Sequence, residues 1–551
     1  MSTPTDFNLL TEPWIPATRR DGSQEELSIL ELLRRATEFT TVGGELPTQR
    51  FAITRLLLAF LHRALDGPTT ADQWADLWES GQFPEAAISD YARRVEHRFN
   101  LFDPTAPFMQ VAKLRSASDK EFGLERIVAE FPANRRLFTT RSERNLRSIS
   151  PAEATRWLIH THAFDVSGNK TGAVGDPTVK MGKGYAIGPG WSGQIGGVLL
   201  HGANLFETLM LNLVSRDAAA YLTIGGSGDV PVWERDTDGP AGHQNPMRPP
   251  RGAIELYTWQ TRRVRLFGDR DGVTGVLLSN GDKIRPQNMH GLEPHSAWRF
   301  SEAQSKKEKK TVFMPLRHVA DRSVWRGIAA LLPCTASRRT GSGVPQRYLS
   351  PGVLQWVSDL VAQGMLPETF RPGIRICGVI YGPQQAIVDE IVEDELLVPV
   401  ATLRADDPAA GTAAVEAVTD AEHAAGAVWR LALNIAEAAG ADTKDTSPGD
   451  AARENFYARL DSPYRAWLLT LTPGADLIAA RRLWRSTVRN AARAAAKQLI
   501  TAAPPAAWTG RVIGEKLINL PQAESWFRAA LNRKLPHTTD LSADTKEEPA
   551  A

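Results

Sequence analysis

The sequence predicts an α+β protein. A large mixed α/β N-terminal domain spans residues 1–400, a C-terminal four-helix bundle spans 401–536, and a disordered polar tail follows over 537–551. Three observations predict this. The 551 residues, 42% of them hydrophobic, exceed what one core usually holds. Up to about Val400, helix-like and strand-like runs are mixed. After Ala405–Thr412, whose ADDPAAGT reads as a linker, the composition turns to Ala, Arg, Leu and Trp at helical spacing.

Each element follows from local pattern. Phe51–Ala64 is expected as a mostly buried helix, since Leu56, Leu57, Leu58, Phe60 and Leu61 give it a wide apolar face. Pro151–His162 is expected as another, with Ser150 as cap and Pro151 at the first helical position. Ile254–Trp259, Arg263–Phe267 and Gly275–Ser279 read as strands, with Asn280-Gly281 a turn signal after the last. Ile374–Tyr381 and Ala386–Val392 read as two strands joined by Gly382-Pro383-Gln384-Gln385, a hairpin with a short polar tip. The bundle helices are expected near Ala413–Ala439, Asp450–Leu471, Ala475–Ala502 and Pro521–Lys534, with Pro473-Gly474 and Pro504-Pro505 as breaks. No internal repeat is visible.

The formal net charge is +1, so a nucleic-acid role would rest on local patches. Two cysteines, Cys334 and Cys377, make no disulfide framework and no zinc pair, and they suit a reducing, cytoplasmic setting. The opening MSTPTDFNLL lacks the pattern of a signal peptide. The apolar stretch from Phe51 to Leu65 is short and interrupted by Arg55, His62 and Arg63, so no membrane segment is expected.

Enzyme motifs fail on context. Gly188-Pro189-Gly190-Trp191-Ser192-Gly193 matches G-x-G-x-x-G, but Gly196-Gly197-Val198-Leu199-Leu200 follows where a helix is required. Gly182-Lys183 lacks the upstream glycine and the Ser or Thr of a phosphate-binding loop. His160 and His162 lie two apart on a predicted helix and so point apart, which suits a surface or core histidine pair better than a metal site. Neither HExxH nor GxSxG occurs.

Four basic or glycine-rich features remain. Gly168–Gly197 holds ten glycines with Lys170, Lys180 and Lys183 among them. Glycine lets a backbone approach a ligand and present its amides, though a flexible surface loop has the same composition. Arg135, Arg136, Arg141, Arg144 and Arg147 form a patch suited to a phosphate backbone or to a solvated loop. Arg481, Arg485, Arg489, Arg493 and Lys497 recur every four residues on the third bundle helix, drawing a stripe that can track phosphates or face solvent. Lys306, Lys307, Lys309 and Lys310 read as a mobile loop.

The opening Phe7-Asn8-Leu9-Leu10-Thr11-Glu12-Pro13-Trp14-Ile15-Pro16 resembles the start of the CasA family. So do Pro107-Phe108-Met109-Gln110, the glycine-rich loop followed by Gly196-Gly197-Val198-Leu199-Leu200-His201-Gly202, and then Gly291-Leu292-Glu293-Pro294-His295. CasA is the large subunit of Cascade, the type I-E CRISPR surveillance complex, and the resemblance covers most of the first 400 residues. It implies a non-enzymatic subunit that reads a short protospacer-adjacent motif from the minor groove of double-stranded DNA. It also implies help in starting R-loop formation and recruitment of a helicase-nuclease. The implied partners are the other Cascade subunits, the guide RNA and the target duplex, with no cofactor. Some relatives carry cysteine pairs that look zinc-binding; this chain has none, so no metal is implied.

Carried over residue by residue, the resemblance places a glycine loop at Gly182, Lys183 and Gly184 and a lysine finger at Lys283. It places a glutamine wedge at Gln384 and Gln385, and a loop that seats the subunit in the complex at Leu137, Phe138 and Thr139. Arg135, Arg136, Arg141, Arg481, Arg485, Arg489, Arg493 and Lys497 are the expected DNA-backbone contacts. The minor groove shows mostly acceptors, so a slim glycine backbone and a lysine donor fit it and give a permissive readout. The alternatives are a scaffold subunit without DNA readout and a nuclease whose site the sequence does not reveal.

Overall fold

The apolar run around Leu56–Leu61 forms the helix Pro47–Ala64, buried on nearly every side. The computed structural model that shows it describes residues 6–118, 120–131, 139, 141, 146–242, 248–333 and 347–536. The second expected helix runs Pro151–Phe164, and the Ser150 hydroxyl accepts from the Glu153 amide at 3.1 Å as its cap. The two helices meet through Phe51 and Phe164, whose rings are edge-on at 6.1 Å.

Arg262–Asp269 and Gly272–Asn280 form an antiparallel hairpin in which Arg262 lies opposite Asn280. Its turn is Arg270-Asp271, and Asn280-Gly281 ends the second strand. Gly373–Tyr381 and Val388–Leu397 lie side by side, and Gly373–Cys377 also pairs antiparallel with Gly197–His201. A strand that follows the glycine-rich segment thus lies in one sheet with the hairpin that carries the glutamines.

One expected strand is a helix. Ile254–Trp259 has strand composition, yet Ala253–Tyr257 is helical. The reason is remote: the buried Asp229 carboxylate accepts from the amides of Ile254 at 3.3 Å and Glu255 at 2.8 Å. A side chain some 25 residues upstream supplies the N-terminal acceptors that the local sequence lacks. The lysine run also differs from a loop, since Lys306 and Lys307 lie in the helix Glu302–Glu308 and Lys306 pairs with Glu302 at 2.6 Å.

The chain divides into two compact units. The first comprises residues up to Arg322, Ala330–Pro367 and Arg371–Glu395; the second comprises Ser323–Ala329, Glu368–Phe370 and the chain from Leu396. In the second unit four long helices run Ala409–Ala439, Ser447–Leu468, Leu477–Thr501 and Leu520–Lys534. The first begins inside the expected linker. Between the last two lie a short helix, Pro505–Thr509, and a small hairpin, Arg511–Ile513 with Lys516–Ile518, which the patterns did not predict. Ala414, Ala417, Ala421, Ala424 and Ala425 of the first long helix are fully buried and allow close approach. Tyr464 and Trp484 donate to the carbonyls of Ala414 and Ala417 at 3.0 and 2.7 Å. Trp325, from the distant Ser323–Ala329 segment, stacks on Tyr464 at 4.6 Å and donates to Asp461 at 2.9 Å.

Candidate functional site

The glycine-rich segment is two structures. Its second half packs. A Cβ on Gly190 would lie 2.3 Å from the Ala163 carbonyl carbon, and one on Gly193 would lie 2.0 Å from the Tyr381 hydroxyl. These glycines let Trp191–Gln194 lie against the end of the Pro151–Phe164 helix and the hairpin strand, which explains the literal G-x-G-x-x-G without a dinucleotide. The first half is a ribbon with a buried base and an exposed apex: Lys170–Thr171 pairs with Lys183–Gly184, and the chain reverses at Met181-Gly182.

A buried charge cluster anchors this ribbon. Arg262 is fully enclosed, pairs with Asp165, and donates to the carbonyls of Val166 and Gly188 at 2.9 and 2.8 Å. Lys170 Nζ lies 2.7 Å from the same Asp165 carboxylate. Burial works to raise the Asp165 carboxyl, but Lys170 and Arg262 outweigh it and hold the group below its usual range. Burial lowers the Lys170 ammonium. One guanidinium therefore fixes both ends of the segment, at Val166 and at Gly188.

At the apex, the amides and carbonyls of Lys180 and Lys183 bond to each other at 3.1 and 3.0 Å. Met181 and Gly182, at φ 52° and 72°, complete a two-residue hairpin turn. Gly182 and Lys183 are exposed, whereas Gly184 is buried against Asn280.

Lys283 lies just beyond the strand Gly272–Asn280, in an alternating stretch. Asp282 and Ile284 point inward, while Lys283 and Arg285 are exposed. Asp282 is held by Arg263 Nη2 at 3.0 Å, and Asn280 Nδ2 donates to the Tyr185 carbonyl at 2.6 Å. The base of Lys283 is thereby tied to the strand that leaves the glycine turn.

The hairpin tip is tied to the other limb. The Ser167 amide donates to the Gln385 carbonyl at 2.8 Å. Gln384 and Gln385 both have positive φ, 56° and 58°, a backbone state that non-glycine residues seldom hold. Their side chains differ. Gln384 is exposed; Gln385 is half-buried, and with its amide oxygen toward Arg317 it accepts from both guanidinium nitrogens at 2.9 and 3.0 Å. A cavity of about 300 Å³ at the junction is lined by Ser167–Thr171, Ala386–Val388 and Leu278, among others.

The basic patches divide. Arg135, Arg136, Leu137 and Phe138 lie outside the described residues. Thr139 donates to Glu130 at 2.9 Å, and Arg141 bridges Glu130 and Glu153 at 3.3 and 2.7 Å, so its charge is matched within the fold. On the third bundle helix, Arg481 pairs with Glu416, and Arg485 pairs with Asp420 at 3.0 Å. Arg489 is buried, donating to the Leu535 carbonyl and to Asn532 Oδ1 at 2.8 Å. The acidic partners absent from the helix itself come from its neighbour. Only Arg493 and Lys497 of the stripe are exposed.

Sequence reasoning missed what the Gly291–His295 motif does. Glu293 is fully buried, accepts both nitrogens of the buried Arg55 at 2.7 and 2.9 Å, and also accepts from Trp191 and the His295 amide. Burial works to raise the Glu293 carboxyl, but Arg55 prevails and holds it down. The motif pins the helix Pro47–Ala64 to the glycine-rich segment. Its signal was an acidic residue in an otherwise apolar, Pro-containing run. His160 and His162 are buried, each with one ring nitrogen bonded, to Thr48 Oγ1 and the Met109 carbonyl, both at 2.9 Å. Among the described residues no three His, Cys, Asp or Glu side chains converge as metal ligands would. No described helix is long and apolar enough to cross a membrane.

Comparison with known proteins adds an independent observation. Residues 8–495 match the family model described as CRISPR-associated protein Cse1. The CasA/Cse1 protein of Thermus thermophilus is 33% identical over 338 residues, covering 59% of this chain and 60% of that protein, so the match spans three fifths of this relative's length. The crystal structure of Thermobifida fusca Cse1 superimposes with a TM-score of 0.88 at 44% identity, covering 96% of this chain and 98% of that one. At 17% identity, a chain of a CRISPR RNA-guided surveillance complex shares the fold, with a TM-score of 0.66 over 90% of this chain and 100% of that one.

Proposed function

The chain belongs to the CRISPR-associated Cse1 family, and from that premise we propose that it is the large subunit of an RNA-guided Cascade complex that inspects double-stranded DNA. In this reading it recognises a short flanking motif from the minor groove, helps open the duplex for the guide RNA, and recruits a helicase-nuclease. It does so by binding rather than by catalysis. One observation carries the reading: the glycine turn, the Lys283 loop and the Gln384 tip are all tied to one segment, itself fixed at both ends by Arg262.

The parts divide the work by their chemistry. The turn at Gly182 is slim enough for a groove about 6 Å wide. Lys283 donates to the acceptors on its floor. Gln384, exposed at a tip whose partner Gln385 is tethered to Arg317, is the side chain that can enter the stack. Unstacking a step costs a few kcal/mol, which guide pairing beyond it offsets. Of the basic residues, Arg493 and Lys497 remain for phosphates, together with Arg135 and Arg136 from the sequence patch; Arg141, Arg481, Arg485 and Arg489 serve the fold. Leu137, Phe138 and Thr139 are assigned to seating the subunit in the complex.

The test is duplex binding by the guide-loaded complex, with and without this chain, on targets that differ only in the flank, at one salt concentration. Tightening on one flank only, lost by about 1–3 kcal/mol in Lys283→Ala, is expected. Gln384→Ala is expected to slow strand opening more than first contact. Equal tightening on both flanks would assign the chain to scaffolding instead.

A further inference from the structure

The turn Lys180–Lys183 carries three features that each cost the fold something. Met181 occupies the first central position at φ 52°, where Asn, Asp or Gly is strongly preferred because a Cβ crowds the following carbonyl. The same residue is 95% exposed, more than any other large hydrophobic side chain among the described residues. Lys180 and Lys183 lie directly opposite each other, which sets their side chains on one face and opposes two like charges. Neither lysine has an ion-pair partner among the described residues. The ribbon beneath is held firmly: the Gly172 amide donates to the Gly182 carbonyl at 2.9 Å, and Lys170 opposite Gly184 ends in the Arg262 cluster. A strained, exposed, self-repelling apex thus sits on a well-anchored base, the pattern in which strain marks function.

A duplex reverses all three costs. Paired phosphate rows accept the two ammonium groups, and the lysines then attract a common ligand. The minor groove is about 6 Å wide, so the two-residue turn enters it with Met181 leading while the paired strands stay outside. Methionine is unbranched and polarizable, and it is among the apolar side chains used to part base steps from that groove. We propose that Met181 is an apolar wedge, carried into the minor groove between two phosphate-binding lysines, that unstacks a base step of the bound duplex. This rests on the reading of the segment as a duplex-binding face, and adds a second point of deformation distinct from Gln384.

The test uses the guide-loaded complex with the full chain and duplexes carrying 2-aminopurine at successive flanking steps. The wild type is expected to raise fluorescence at one step. Met181→Gly relieves the turn, so folding is retained, and it is expected to abolish that rise and weaken binding roughly tenfold, the scale of a lost apolar contact. Met181→Leu is expected to keep most of both. Lys180→Gln with Lys183→Gln is expected to lower the salt slope by about 1.8, two contacts at about 0.9 each. Unchanged unstacking and affinity in Met181→Gly overturn the wedge. Flank discrimination by the wild-type complex, read in the same titrations, separately decides the wider reading.

Discussion

Replacing Arg262 with methionine removes the one donor group that holds both ends of the glycine segment. The side chain is fully buried, and its loss strips donors from the Asp165 carboxylate and from the carbonyls of Val166 and Gly188. Two neutral acceptors left unpaired cost about 1–3 kcal/mol each. Asp165 keeps Lys170 at 2.7 Å, so its carboxylate retains a counter-charge and loses one donor. The total falls in the range of about 3–5 kcal/mol for breaking a buried pair from one side. With a urea slope near 3 kcal/mol per molar, the first unit's transition should move down by about 1–1.7 M. Hydrogen exchange should quicken over Gly168–Gly188 before it does so in the strands. Adding Asp165→Asn should deepen the loss, since the buried Lys170 ammonium then has no counter-charge. A loss below about 1 kcal/mol in Arg262→Met, or a double variant as stable as the wild type, would refute the anchoring role.

Where charge is buried and where it is exposed leads to different expected outcomes. His62, His160, His162 and His295 are enclosed and kept neutral, burial pushing them down to about 3, 4, 4 and 3. The unfolded chain binds these protons below about pH 6.5 and the folded chain does not until near pH 4, so stability is full above 6.5 and falls as the pH drops from there. Each histidine contributes about 1.4 kcal/mol per pH unit over that window; a urea midpoint that stays level between pH 7 and 5 would contradict it. On the third bundle helix, Arg493→Gln with Lys497→Gln is expected to flatten the salt dependence of duplex binding by about 1.8 in slope without altering bundle stability. Arg489→Ala should do the reverse, lowering the bundle's melting temperature and leaving the slope alone; the opposite pattern would return Arg489 to the nucleic-acid contacts.

Much of the candidate site was legible where its signal is local. Gly382-Pro383-Gln384-Gln385 is a turn by composition, and it is a turn in the structure. Gly182 beside lysines reads either as a backbone that approaches a ligand or as a surface loop, and it is exposed, as both require. The separate roles of Gln384 and Gln385 were not legible, because Arg317 captures one of them from 68 positions upstream. Nor was Met181, which reads as one more apolar residue until its exposure and its positive φ are seen together.

The sequence by itself determined the elements whose causes lie within a few residues: the Ser150 cap with Pro151, the two strands Arg262–Asp269 and Gly272–Asn280, the glutamine turn, and the long alanine-rich helices. The tertiary structure alone decided the rest. Asp229 converts a strand-like run into a helix from 25 residues away. Ser323–Ala329 joins the second unit by stacking Trp325 on Tyr464. Asp420 neutralises Arg485 across a helix interface, so a stripe that reads as free charge is partly the inside of a bundle. Capping, turns and periodicity are set by neighbours in the chain. Whether a charge meets water, a carboxylate or a phosphate is set by neighbours in space, which one-dimensional spacing does not encode.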